Sequence, residues 1–531
     1  MTGSLRQSMT WLHTWSSITA GWILFAIFLT GTLSFFRNEI SYWMQPELHQ
    51  SVPNEQSVIV AYDYLTEHAA QANEWQISLP DARKNTLDLS WTTPGEARER
   101  RRGPRVQLDA STGEPLEARQ TEGGNFLYRF HFELYGMPRE VARWLVGIVS
   151  MMMFLGIISG VIMHRKIFAD FFMFRPGKKL LSWIDGHAIS AVLALPFHIM
   201  ITFSGLILLG NTLMPWNGEG HHGGPRDRGA GGGDRPAAVE VAKDFDDNPP
   251  FDKMFRHFEQ QWQVPVDTLS ISKPGTNKVT YTLGGGNRTE LSAGRGGETS
   301  FTFDGNGEQI STRPANSEEN TAQAVYNYFD MLHQARFADT PTRWLLFFAG
   351  ILGTIMVGTG SVLWAVKRSK QQMGQFGFEL IRGLNVGTIA GLMTACGSYF
   401  WANRLLSAEL ASRSGWEINI FFIVWAMGIV GGLIWRDRKG WLVQLSLAGT
   451  LFTLLPILDS ITSSTSVFFA LNNADWMRLS FDISCLLIAA VLWLSVYYLA
   501  VQKKGRRGRN VPASPAPKRK VKPLKTAGGE A

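Results

Sequence analysis

The sequence predicts a polytopic α-helical membrane protein of about eight transmembrane helices that carries two α/β domains outside the membrane. Three observations lead there. Apolar runs recur at close to the roughly 20 residues that span a bilayer. Basic clusters follow every second run. Two long polar regions, 37–140 and 211–342, interrupt the first four runs and alternate in the manner of strands.

The 531 residues exceed one compact domain. The mean hydropathy of −0.03 averages two populations, apolar runs and polar stretches rich in Gly, Arg, Asp and Asn. The apolar runs lie at approximately 14–36, 141–163, 187–210, 343–366, 378–401, 417–435, 441–459 and 479–501. Many of the 19 Trp sit at their ends, as in an interfacial belt. The first run is followed by no small-residue cleavage site and reads as a signal anchor.

Charge orients the chain. Arg165, Lys166, Arg175, Lys178 and Lys179 follow the second run, and Lys367, Arg368 and Lys370 the fourth. Arg436, Arg438 and Lys439 follow the sixth, and Lys503, Lys504, Arg506, Arg507 and Arg509 the eighth. All four clusters fall on one side if every run crosses once, and positive loops stay cytoplasmic. The expected arrangement is therefore a bacterial inner-membrane protein with both termini in the cytoplasm and the large domains periplasmic. The net charge of +7 is absorbed by these signals, so no nucleic-acid partner is expected.

The expected organisation is a first transmembrane helix (1–36), an outer domain (37–140), helices two and three with a cytoplasmic loop (141–210), and a second outer domain (211–342). Helix four (343–370), a four-helix C-terminal unit (371–502) and a basic tail (503–531) complete it. In the outer domains, Thr86–Trp91 and Lys278–Leu283 read as strands, and Ala61–Ala70 and Ala322–Leu332 as short helices. The stretch from Gly218 to Pro236 is too Gly-rich to bury a core and reads as a mobile loop. Arg98, Arg100, Arg101, Arg102 and Arg105 form a solvated basic patch.

The chain contains an internal duplication. FLYRFHFELYGMPREVARWLVGIVSMMMFLGIISGVIMHRK is similar to YNYFDMLHQARFADTPTRWLLFFAGILGTIMVGTGSVLWAVKR, matching His131 with His333, Gly160 with Gly360, and His164 with Trp364. LHTWSSITAGWILFAIFLTGTLSFF is similar to GHAISAVLALPFHIMITFSGLILLG, matching His13 with His187. The unit of span, outer domain, span occurs twice.

Eleven histidines are present, and six stand at membrane level. Ionisable groups there are costly and mark function, and a neutral imidazole is a haem-iron ligand. His187 and His198 are spaced to return to within roughly 20° of one helix face, about 16 Å apart, if the helix is continuous. One helix then offers imidazoles to two haems at different depths. At the cytoplasmic level His13 and His164 each stand as possible partners of His187. At the outer level His131 and His333 stand opposite each other or opposite His198. Pro138 and Pro341 break their segments and leave His131 and His333 near the outer interface. His49, His68 and His257 read as surface residues, and His221 and His222 fall in the Gly-rich loop. Cys396 and Cys485, both in apolar runs, exclude a disulfide framework or a CxxC redox motif.

No G-x-G-x-x-G follows a strand, and no P-loop, H-E-x-x-H or G-x-S-x-G is present. Electrons would therefore come from a membrane quinol or a separate reductase. A permease with Asp459 and Asp482 in its path is a competing expectation; those two carboxylates equally suit a quinol site.

Three stretches resemble the PepSY-associated transmembrane helix family, iron-regulated membrane proteins that include bacterial ferric-siderophore reductases. They are HTWSSITAGWILFAIFLTGTLSFF, GVIMHRKIFADFFMFRPGKKLLSWIDGHAISAVLALPFHIMITFSGL and MLHQARFADTPTRWLLFFAGILGTIMVGTGSVLWAVKR. The second is the most specific, because its histidines, the FRPGK turn and WIDGH occur together. The resemblance covers residues 9 to about 370. It implies PepSY-type outer domains near 55–120 and 238–330, and haem b, two per chain, whose iron is bound by His13, His131, His164, His187, His198 and His333. It implies reduction of a ferric chelate or siderophore outside the inner membrane. PepSY-type domains are also associated with peptidase inhibition, which makes a non-enzymatic regulatory protein the alternative.

Overall fold

A computed structural model of the chain describes residues 4–93, 104–164, 175, 179–213, 244–246, 249–285, 299–313 and 321–501. The Gly-rich stretch 218–236 and Arg98–Arg102 lie outside these residues; Arg105 opens a strand and is exposed.

Among the described residues seven helices are long and apolar enough to cross a membrane: α1 (Leu5–Ser34), α5 (Arg139–Met163), α10 (Thr340–Gln372), α11 (Phe376–Leu405), α12 (Arg413–Ile434), α13 (Arg438–Thr462) and α14 (Trp476–Val501). Helices α6 (Lys179–Leu193) and α7 (Leu195–Leu208) are together long and apolar enough for an eighth, and are bent by 68° at their junction. The bend follows from Pro196, which lies in the first turn of α7, where its missing N–H does no harm but continuation of α6 is blocked. His187 and His198 thus stand on two differently directed helices, not on one continuous face.

The sheet side is built from both polar regions. The first contributes α2 (Arg37–Trp43), α3 (Ser57–His68), β1 (Glu74–Ser78), β2 (Thr86–Thr92), β3 (Arg105–Asp109) and α4 (Gly123–Glu133). The second contributes α8 (Phe251–Trp262), β4 (Thr268–Ser272), β5 (Thr280–Gly285), β6 (Thr299–Phe303), β7 (Gln309–Arg313) and α9 (Thr321–Gln334). The expected strands and short helices are all present, and each half is an α/β module. The two modules are joined: the sheet runs β3-β2-β1-β4-β5-β6-β7, with β1 and β4 antiparallel at its centre. Trp75 stands opposite Ile271 and Ile77 opposite Leu269. Each module would otherwise expose an unpaired edge, and mutual pairing removes it. Alternation puts Trp75, Ile77, Leu89, Leu269, Ile271, Leu283 and Phe301 on one face, where Tyr62 and Leu65 of α3 and Met254 and Phe258 of α8 cover them. One hydrophobic core serves both halves.

His49 is a correction. It was expected on the surface, but it is only 2 % exposed, beneath Tyr42, with Nε2 3.0 Å from the Tyr42 carbonyl oxygen. Its neighbours include Arg404 and Arg478, which come from the distant C-terminal unit. His68 and His257 are exposed, as expected.

That C-terminal unit carries a buried ion network. Asp459 is fully buried between Arg404 and Arg478, accepting from Arg478 Nε at 2.8 Å. Trp43 of α2 donates to Asp482 at 3.0 Å, and Tyr42 to Asp475 at 2.8 Å. Near α4, Arg413 pairs with Glu417, which also accepts from Thr121 at 2.6 Å. Buried charges persist only when paired and fully hydrogen-bonded, and here the pairs lock α2 and α4 against the four-helix unit. Asp459 is thereby committed to two guanidiniums.

Candidate functional site

The structure sorts the six membrane-level histidines into two facing pairs and two others. His13 on α1 faces His187 on α6, with ring centroids 6.2 Å apart and planes at 71°. His131 on α4 faces His333 on α9, with centroids 6.1 Å apart and planes at 31°. The first pair lies at the end of the bundle away from the sheet, the second at the sheet end. Along α1, His13 and the residue that touches His131, Gly31, are separated by about 27 Å at the helical rise.

Three of the four rings are held the same way. Nδ1 of His13 lies 2.8 Å from the Gly156 carbonyl oxygen, Nδ1 of His187 2.9 Å from that of Met356, and Nδ1 of His131 2.8 Å from that of Ile27. A carbonyl oxygen can only accept, so Nδ1 carries the proton and Nε2 keeps its lone pair. His333 Nδ1 is 2.9 Å from Ser204 Oγ, with the Ile201 carbonyl also in reach. Anchoring the far nitrogen to a carbonyl is the arrangement that orients a metal-ligating imidazole.

A glycine four residues after each anchoring carbonyl flanks the ring. A Cβ on Gly160 would come 3.3 Å from His13 Cε1, one on Gly360 3.2 Å from His187, one on Gly31 2.6 Å from His131, and one on Gly205 3.0 Å from His333. Gly160 and Gly360 are matched in the duplication, and so are Gly31 and Gly205. Each facing pair therefore consists of two copies of one sequence position, brought together by the same pseudo-symmetry that pairs β1 with β4.

His164 and His198 break that symmetry. Trp364 stands at the position matching His164, and Leu24 at the position matching His198. His164 caps α5, close enough to His13 and His187 to interact with both electrostatically. Among the described residues His198 faces no other imidazole. It is fully buried between Phe28 and Phe197, beside Gly353, with the backbone of Ala191 and Ala349 close to its ring. The pairing of His131 with His198, open in the sequence, is not the one formed.

The pair of imidazoles at each level fits the donor set of a b-type haem. Two imidazoles that share a metal at about 2 Å each, plus half a ring on either side, place the centroids roughly 6 Å apart. Among the described residues no group of three or more His, Cys, Asp or Glu gathers as a metal site. Two imidazoles at each level are a donor set that a haem iron would accept.

A family model for the PepSY-associated TM region matches residues 10–367, a stretch that includes both histidine pairs, the sheet and the first four spans. The chain belongs to the PepSY-associated TM family. No curated protein matches it. The family match ends within α10, so the four-helix unit of this PepSY-family chain is an addition to the matched part.

The sequence had not marked the surroundings of the sheet-side pair. His131 and His333 line a cavity of about 1250 Å³ between the bundle and the sheet. Its wall is rich in arginine. Arg129, Arg139 and Arg143 all pair with one carboxylate, Glu133, at 3.3, 2.6 and 2.9 Å. Burial raises the Glu133 carboxyl, but bonding to Arg139 and Arg143 outweighs it and holds the group below the usual carboxylate range. Arg37 stacks over Tyr128 at 4.9 Å, and Arg336 bonds Gln334, a neutral partner. The signal was present as RFHFELYGMPREVAR, three arginines spaced around Glu133 and Glu140, but only folding turns those residues toward a histidine pair.

Proposed function

We propose that the chain is a b-type haem electron-transfer protein of the bacterial inner membrane that reduces ferric chelates, such as ferric siderophores, on the sheet side of the membrane. The observation that carries this reading is the pair of facing-imidazole sites, with centroids 6.2 and 6.1 Å apart, at opposite ends of one bundle. Haem bound at both levels would supply one-electron Fe(III)/Fe(II) chemistry.

His13 and His187 would hold the haem at one level, and His131 and His333 the one at the other. The carbonyls of Gly156, Met356 and Ile27 fix the tautomer that presents Nε2. The four glycines leave space at the ring edges. The basic clusters that follow alternate spans support cytoplasmic termini and a periplasmic sheet. The cavity at the sheet-side pair is where a chelate would approach, and a ferrous product would be released because ferrous iron binds hard oxygen ligands more weakly. A membrane quinol or a separate reductase is the proposed donor.

The test is a reduced-minus-oxidised spectrum with a pyridine haemochrome assay on the detergent-purified chain. The expected result is a b-type spectrum with two haems per chain, reoxidised by a ferric chelate. A protein purified colourless from haem-replete cells would overturn the proposal.

A further inference from the structure

We propose that the arginine-walled cavity at the sheet-side histidine pair is a binding site for a polyanionic metal chelate, with carboxylate or catecholate arms, in preference to a neutral or cationic hydroxamate chelate. This rests on the proposed function in that the chelate is taken as the electron acceptor, and it narrows the chemical class.

Three features of the cavity lead to it. The first is donor surplus. Arg129, Arg139 and Arg143 together present roughly fifteen N–H donors, whereas Glu133 offers about four acceptor sites. Arg139 and Arg129 remain 69 % and 51 % exposed at the side chain, so the remaining donors face open space while the shared carboxylate fixes the guanidiniums in position. The second is charge. Among the described lining residues Arg37, Arg83, Arg336 and Arg343 join these three, against the acids Glu133 and Asp267 in the lining and Glu39 behind it, which pairs with Arg83 and Arg343. Closely spaced guanidiniums recognise carboxylates and related oxyanions bidentately and steer anions towards the cavity. The third is room. At about 1250 Å³ the cavity exceeds the roughly 300–1,000 Å³ of an ordinary small-ligand pocket, so a haem at His131 and His333 leaves space for a second molecule. The two propionates of one haem do not consume so many guanidiniums.

The experiment uses the full-length, haem-loaded protein in detergent and the redox-inert complex gallium(III) citrate, with bound gallium measured by equilibrium dialysis. Saturable binding that weakens steeply with added salt is expected. The Arg129→Gln/Arg139→Gln double variant is expected to weaken it at least about tenfold, equivalent to about 1.4 kcal/mol, at unchanged haem content. A gallium(III) tris-hydroxamate complex is expected to bind more weakly and to be indifferent to the substitutions. Absence of saturable citrate binding, equal affinity for the two chelates, or a double variant that loses haem while keeping chelate affinity would each overturn the proposal. The last outcome would assign the arginines to the haem propionates. Salt-sensitive gallium citrate binding by a protein that proves to lack haem would keep the anion site and remove only the reductase reading.

Discussion

The hydroxyl of Tyr399, in the C-terminal four-helix unit, donates to the carbonyl oxygen of Gly123 at 2.9 Å, at the first residue of the helix that carries His131. Around that bond Phe126 and Phe130 pack on Phe421, Phe422 and Trp425. The unit beyond the family match therefore acts on the sheet-side site by fixing α4. Tyr399→Phe removes this link while the carbonyl keeps its helical partner, and is expected to cost about 0.5–1.5 kcal/mol, read as a lower midpoint of thermal unfolding in detergent. The spectrum of the sheet-side site is expected to shift while the far site, built on α1 and α6, keeps its own.

Facing pairs make a stoichiometric prediction. His13→Ala and His187→Ala are each expected to remove the same half of the bound haem, and the double variant to remove no more. His131→Ala and His333→Ala should remove the other half. His198→Ala, which opens a gap between Phe28 and Phe197 but deletes no facing imidazole, should leave the haemochrome value at two per chain. A loss of haem in that variant would restore His198 as a ligand.

The glycine cradle predicts that a single methyl group matters. A Cβ at position 31 would lie 2.6 Å from both Cε1 and Nδ1 of His131, well inside van der Waals contact, and the ring has the Ile27 carbonyl holding it in place. Gly31→Ala is expected to lower haem occupancy at the sheet-side level to that of His131→Ala. Gly136→Ala, at a position where a Cβ meets nothing within 4 Å but φ is +94°, should leave haem content unchanged and show only a modest loss of stability.

His49 predicts a pH dependence. Burial first, and then the charges of Arg404 and Arg478, push its imidazole down to about 3, against the opposing Asp459 charge and the Tyr42 carbonyl. The native state thus holds His49 neutral, while the unfolded chain protonates it near pH 6.5. Its contribution is complete above pH 6.5 and falls away as the pH drops from 6.5 towards 3, by at most about 1.4 kcal/mol per pH unit. Thermal unfolding midpoints measured between pH 7.5 and 5 should fall with acid in the natural protein. They should fall less in His49→Gln, which cannot be protonated in this range.

The number of spans, the strands of the outer modules and the duplication were all readable along the chain. Each depends on local hydrophobicity, alternation or identity, and none needs knowledge of a distant partner. The levels of His13 and His131 also followed from position within or before an apolar run, since a helix advances by a fixed rise per residue. The pairing of imidazoles did not follow, because His187 and His198 look equivalent until Pro196 turns the helix by 68° and buries one of them among phenylalanines. Nor did the union of the modules, since β1 and β4 each read as an ordinary edge until their ladder is formed. His49 looked like a surface residue because the arginines that enclose it are far away in the sequence. What the sequence determined about this protein is its membrane-spanning repeat and the histidines it carries. Tertiary structure alone decided which copies face each other, because these contacts join residues from opposite halves of the chain.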